Sequence, residues 1–313
     1  MGRDYQPDEF TDSRNIVDNL CERDRNRAET GSESRREHGP RSDGQNEARR
    51  SPHSERNQEA TRAPDPRKTY QLRDKAYRLR ASEIDTMTEL GKFRAVASKD
   101  LEKFRYGGDK GRAKTDVQNL IQQGLVTEKT IPHKEEQPRR LLTLTKRGRD
   151  VLRSTGTVPQ GQAMHYGFTK PREAHHDADL YRLYQRAAER IEREGGKNPR
   201  VILDFELKKR LYHDMAKLGP DRQSAERKGE VAERHGLKVV RGKIPIPDLR
   251  IEYDTPDGER RRVDLELATE HYRARSLTEK VRAGFGLYAR TQDAPGLKRV
   301  LDQRELTAEI LSL

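Results

Sequence analysis

The chain has 313 residues, of which 31% are hydrophobic and 38% charged, a mixture too lean for the whole to be folded core. Lys and Arg number 65 against 53 Asp and Glu, and the formal net charge of +12 favours polyanionic partners. No apolar run approaches the roughly 18 residues that a membrane span needs, and the amino end has no secretory apolar region. The single cysteine, Cys21, excludes an internal disulfide and a multi-cysteine zinc finger. A cytoplasmic protein with no membrane association is therefore expected.

Residues 1–68 are rich in Arg, Glu, Asp, Ser, Asn and Pro and nearly lack aromatics. Burial there cannot offset an ordering cost of roughly 1–2 kcal/mol per residue, so a disordered tail is predicted. Ser82 followed by Asp85 reads as a capping box, with Ile84, Met87 and Leu90 at helical spacing behind it. Ser98 caps a second helix with Leu101 and Phe104 on its apolar side, and Gly107-Gly108-Asp109 makes a tight turn. Ala113, Val117, Leu120 and Ile121 form the buried stripe of a third helix that Gly124 ends. Leu125-Val126 begins a strand and Thr127 to Pro138 forms a polar tip. Leu142 and Leu144 then alternate on the returning strand before Thr145 opens another helix. Helix, helix, helix, hairpin, helix is the order of a winged helix-turn-helix domain, predicted over residues 69–160.

With Ala113, Val117 and Leu120 turned inward, helical geometry turns Thr115, Gln118, Asn119 and Gln122 outward, flanked by Arg112 and Lys114. Asn and Gln suit adenine edges and Arg suits guanine, while Lys110 and the wing cations Lys129 and Lys134 suit phosphate oxygens. Double-stranded DNA is the expected partner. A polar helix face serves a protein-docking module equally well, so an adaptor or a transcriptional regulator is the alternative. The glycines between 107 and 111 lack the spacing and the Lys-Ser/Thr ending of a phosphate-binding loop, and no cofactor is expected.

A second domain is predicted over residues 167–313. Asp177 reads as the N-cap of a helix carrying Leu180, Tyr184, Ala187 and Ile191, which Gly195-Gly196 stop. Val201 to Leu203 reads as a strand, Phe205 to Lys217 as a helix, and Gly219 to Arg234 as a solvated connection or surface helix. Leu237 to Val240, Leu249 to Tyr253 and Val263 to Leu267 are short strands, the last two joined by a Thr255-Pro256-Asp257-Gly258 turn. Ser276 with Glu279 forms a capping box, and Leu277, Val281, Phe285 and Tyr288 make the stripe of one long final helix. Without a sustained heptad, the amphipathic stretch from Leu301 to Leu313 is the candidate interface for a homodimer. His175 and His176 read as locally packed side chains, since no further His or Cys stands at ligand spacing.

Pro247-Asp248 on one strand, Asp264-Leu265-Glu266 on the next and a helix behind them resemble the core of the PD-(D/E)xK nucleases. That resemblance implies an α/β restriction-endonuclease-like domain in which Asp248, Asp264 and Glu266 hold Mg2+ for phosphodiester hydrolysis. The assisting lysine would stand two residues after Glu266, where this chain has Ala268, and Lys280 on the following helix is the replacement candidate. Acids alternating with Val263, Leu265 and Leu267 also describe any half-buried strand, with Arg250, Arg261 and Arg262 as partners. A non-catalytic domain is therefore expected, with an active Mg2+-dependent endonuclease as the alternative.

Adding Leu142-Thr143-Leu144-Thr145-Lys146-Arg147-Gly148 and His175-His176-Asp177, residues 70 to 290 resemble the replication-relaxation proteins, encoded mainly on bacterial plasmids and integrative elements. The resemblance implies a DNA-binding protein acting in plasmid replication, relaxation or conjugative mobilisation, with a relaxase or replication protein as partner. The expected fold class is thus α+β: a disordered tail, a winged helix-turn-helix domain, then a restriction-endonuclease-like domain.

Overall fold

The computed structural model describes residues 65–132, 137–168, 171–219, 224–269, 272–304, 306 and 310–312. Residues 1–64 of the predicted 1–68 tail, with Cys21, and the predicted wing cation Lys134 lie outside the described residues; the last four residues of that tail are structured instead, Arg67 pairing with buried Glu83 and Lys68 opening a strand. The protein is a mixture of helices and sheets, and among the described residues no helix is long and apolar enough to cross a membrane.

An additional hairpin opens the described chain: β1 (Lys68–Leu72) and β2 (Lys75–Leu79) pair antiparallel. Helix α1 (Ala81–Lys92) follows, and its start corrects the expected Ser82 cap. Asp65 supplies the cap from outside, its carboxylate accepting from the amides of Ala81 and Ser82 at 3.2 and 3.1 Å. Strand β3 (Val96–Ala97) leads to α2 (Ser98–Arg105), so Ser98 is the first helical residue rather than the cap. Helix α3 (Lys110–Gln122) is capped by Asp109, whose side chain accepts from the Arg112 amide at 2.9 Å. Strands β4 (Val126–Ile131) and β5 (Arg139–Leu144) form a hairpin with β3 on its far edge, and α4 (Lys146–Ser154) closes the unit.

Thr145 and Gly148, both in the motif quoted above, join these parts. The Thr145 hydroxyl accepts from the Gly148 amide at 2.9 Å and donates to the Gly124 carbonyl at 2.7 Å, tying the start of α4 to the end of α3. Gly148 lies so close to the Leu125 backbone that a Cβ there would stand 1.9 Å from its carbonyl oxygen.

The second unit begins with α5 (Pro171–Arg193), which starts before the expected Asp177 cap, so Asp177 lies inside the helix. Strand β6 (Lys197–Leu203), α6 (Asp204–Lys217) and α7 (Ala225–Arg234) follow. The expected strand at Leu237 to Val240 reduces to a single bridge between Val240 and Lys243. Strands β7 (Leu249–Asp254) and β8 (Arg260–Ala268) are joined by the predicted turn. The expected long helix is instead α8 (Ala274–Arg282) and strand β9 (Gly286–Ala289), separated by Gly284 at φ +86°. Helix α9 (Ala294–Asp302) and β10 (Ile310–Ser312) complete the described chain. The sheet order is β10-β9-β8-β7-β6, with β7 antiparallel to both its neighbours β6 and β8, and with β9 and β10 parallel to β8.

The two units share one continuous hydrophobic core, and α5 is the element they share. Phe93, just after α1, packs edge-on against Tyr181 at 5.3 Å and tilted against Tyr184 at 5.5 Å, both on α5. Asp179, fully buried on the same helix, receives Arg139 of β5 at 2.8 Å and the Arg290 Nε at 3.1 Å. Arg182 grips Asp100 of α2 through both of its oxygens.

Candidate nucleic-acid interface and acidic site

Ala113, Val117 and Leu120 are buried as the α3 stripe requires, and Lys110, Lys114, Thr115, Gln118 and Gln122 are exposed. Arg112 is half-buried at the edge of this face. Lys110 and Lys114 form no ion pair with a described residue, so their charges stand in solvent. Thr115 donates back to the Gly111 carbonyl at 2.9 Å.

Asn119, expected to face a duplex, is half-buried and turned inward, its amide donating to Glu83 Oε1 at 2.8 Å. The reason lies on α1. Glu83 is fully buried and collects donors from Asn119, Arg67 and the Arg80 amide, because an unsatisfied carboxylate there would be costly. Asp116, the other fully buried acid of this unit, takes Arg80 at 3.4 Å and the Tyr106 hydroxyl at 3.2 Å. Burial, with the Asp116 charge added, holds the Tyr106 hydroxyl far above the usual phenol range.

On the hairpin, Thr127 to Thr130 are exposed, including the predicted phosphate contact Lys129. Arg140 pairs across the strands with Glu128. The other side of the hairpin rests on the second unit: Ile131 packs with Ala174 and Ala178 of α5, and His175 Nε2 meets the Pro132 carbonyl at 2.9 Å.

The second charged region lies where β7 and β8 begin and end. Asp248, just before β7, accepts the Leu267 amide at 3.0 Å, while its own amide donates to Glu266 Oε2 at 3.2 Å. Glu266 is fully buried. Its other oxygen takes the Lys280 ammonium at 2.7 Å and the Tyr272 hydroxyl. Lys280 also donates to the Ile246 carbonyl at 2.6 Å. His176, from α5, brings Nε2 to 3.4 Å from Asp248 and Nδ1 to 3.9 Å from Asp177. The structure thus brings Asp248, Glu266 and Lys280 together. Neither Tyr272 nor the approach of His176 to this place has a local signal in the sequence.

Asp264 does not join them. Arg250 holds both of its oxygens, at 2.6 and 2.8 Å, and the same guanidinium donates to the carbonyls of His235 and Gly236. Ala268, standing where the resemblance places a lysine, is fully buried in an apolar cluster with Leu277, Leu287 and Leu297. A charge at that position would be stranded without a partner.

The electrostatics follow from burial and crowding. Burial, reinforced by the Asp248 charge, raises the Glu266 carboxyl against the pull of Lys280 and Tyr272. Asp248 is also opposed by burial, yet His176 and Lys280 hold it below the usual carboxylate range. Burial opposes the His176 charge too, but Asp177 and Asp248 push its pKa up to about 10.

These residues do not fit a hard divalent cation. Mg2+ asks for about six oxygen ligands in near-octahedral array. Here both Glu266 oxygens are already bound, one Asp248 oxygen is shared by an amide and an imidazole, and the Lys280 ammonium supplies the positive charge. Among the described residues no group of three or more His, Cys, Asp or Glu is placed to hold a metal.

No protein-family model and no curated protein matches the sequence. Among solved structures, the crystal structure of Bacillus subtilis PadR in complex with operator DNA is similar at 15% identity, covering 48% of this chain and 90% of that one. Its TM-score of 0.19 is too low for the likeness to carry an argument.

Proposed function

We propose that this chain is a DNA-binding protein whose first unit is a winged helix-turn-helix that reads a duplex with α3, and whose second unit is a restriction-endonuclease-like scaffold without hydrolytic activity. The observation that carries the reading is the α3 face: Lys110, Lys114, Thr115, Gln118 and Gln122 are all exposed, and the second unit covers none of them. A helix projecting two uncompensated ammoniums beside three hydrogen-bonding side chains has what the major groove and its phosphates call for. The net charge of +12 supports approach to a polyanion. The narrower role, in replication, relaxation or mobilisation of a plasmid-type element alongside a relaxase, rests on the motif resemblance alone.

Fluorescence anisotropy of a labelled mixed-sequence duplex across salt concentrations tests the first half. Affinity should fall steeply with salt, and the Lys110→Ala and Lys114→Ala variants should each reduce the salt slope by roughly one. A salt-independent signal, or wild-type binding by both variants together, would transfer α3 to protein docking. Supercoiled plasmid incubated with Mg2+ tests the second half and should stay intact. Nicking that disappears in Asp248→Asn would make the second unit an enzyme.

A further inference from the structure

The second unit has a solvent-open recess of about 290 Å³ lined by Arg241, Arg275, Thr278, Arg282 and Arg304, whose four arginines are exposed. It is separate from the α3 face and from the Glu266 site. Arg275, Thr278 and Arg282 fall on one side of α8 by helical geometry, at i, i+3 and i+7. The other sides of that helix are occupied: Leu277 lies in the core and Lys280 in the acidic site. Arg241 comes from the bend between Val240 and Lys243, whose backbones exchange bonds of 2.8 and 2.9 Å. Arg304 follows α9, its amide bonded to the Leu301 carbonyl at 3.0 Å. Three separate segments thus deliver guanidiniums to one concavity.

The charges there are poorly balanced. Glu279 is the acid paired within the cluster, and it is divided between Arg275 at 3.2 Å and Lys243 at 3.9 Å. Arg241, Arg282 and Arg304 form no ion pair with a described residue. Guanidiniums crowded around a recess repel one another unless an anion enters. Each guanidinium presents a planar fork that matches phosphate oxygens two at a time.

We propose that this recess binds a small polyphosphate anion, with at least two linked phosphate groups, either as pyrophosphate or as the diphosphate end of a nucleotide. Size and charge select this class. The volume lies near the lower end of the range for small-molecule pockets, about 300 Å³, which is more than one phosphate fills. With Arg275 held by Glu279, three guanidiniums remain without a paired carboxylate among the described residues, a positive charge nearer to that of a diphosphate than to the charge of roughly −2 on a single phosphate.

Isothermal titration calorimetry on the full chain, in metal-free buffer at fixed ionic strength, tests the proposal with pyrophosphate as the probe. Saturable one-to-one binding is expected, with inorganic phosphate at least tenfold weaker. Arg241→Ala and Arg282→Ala should each weaken pyrophosphate at least tenfold while circular dichroism and the ligand-free melting curve stay native. Arg282→Lys, which keeps the charge and loses the fork, should fall between wild type and Arg282→Ala. ADP binding as tightly as pyrophosphate would identify the diphosphate end as the recognised group, and exclusion of ADP would assign the site to the free anion. The proposal is overturned by non-saturable heats, by equal affinity for phosphate and pyrophosphate, or by wild-type binding in natively folded Ala variants. It is also overturned if duplex DNA displaces pyrophosphate and the same variants lose duplex affinity in proportion, since the recess would then belong to a DNA interface.

Discussion

The outer face of α3 and the site around Glu266 both concentrate charged groups, and they differ in what surrounds those charges. Lys110 and Lys114 stand in water with no described carboxylate paired to them. Glu266, fully buried, has every oxygen engaged by Lys280, Tyr272 or the Asp248 amide. Solvated, unpaired charge is available to a partner at little cost, whereas charge balanced inside the fold has already been spent on structure. The lesson is that a charged motif becomes a functional site only where its charges are left uncompensated.

The largest effect expected from this contrast is at Lys280. Lys280→Met removes the cation from a buried carboxylate and should lower the unfolding free energy by about 3–5 kcal/mol in urea titrations. Adding Glu266→Gln should restore most of that loss. A single-variant loss under about 1 kcal/mol would break the comparison, because Glu266 would not then depend on an internal partner.

Two neighbours on α3 sharpen the contrast at intermediate size. Asn119→Ala takes a donor from fully buried Glu83 and should cost about 1–2 kcal/mol of stability, read by the same titration. Gln118→Ala should stay within about 0.5 kcal/mol of wild type yet shift the preferred duplex sequence in a binding selection. Equal stability losses would erase the distinction between inward and outward residues.

The smallest effect belongs to His176, which lies partly in solvent. Its pKa is raised to about 10 in the folded chain, from an unfolded value of about 6.5. The bonus is therefore complete below about pH 6.5 and is lost as pH rises through about 10. Melting temperatures of wild type and His176→Gln should converge across that window. A constant gap would assign the side chain a packing role only.

Much of the first unit was legible because its helices and hairpin carry local signals: apolar stripes at helical spacing, the Gly107-Gly108 turn and Thr145 at the α4 cap. The direction of Asn119 was not legible, because its partner Glu83 lies far away along the chain and periodicity is blind to it. In the second unit, Leu277, Val281, Phe285 and Tyr288 satisfy a helical spacing although the last of them belongs to a strand, since the break at Gly284 divides the stripe. The start of α5 was misplaced because Asp177 imitates a cap, while Pro171 at the first helical position, where a missing amide costs nothing, was the better signal. The β1-β2 hairpin did leave a trace in the alternation of Tyr70 with Leu72 and Tyr77 with Leu79 around Arg73-Asp74. The pairing of Glu266 with Lys280 is a product of the folded sheet and helix and leaves no mark on spacing.

Helix α5 has a mechanical consequence. Its aromatic and acidic side chains are claimed on one flank by Phe93, Asp100 and Arg139 and on the other by the five-stranded sheet, so among the described residues α3 is tied to the second unit through a shared core. A duplex bound at α3 would meet the second unit at a fixed angle, and a fragment ending after Ser154 would bare a wide greasy surface instead of folding as a portable module.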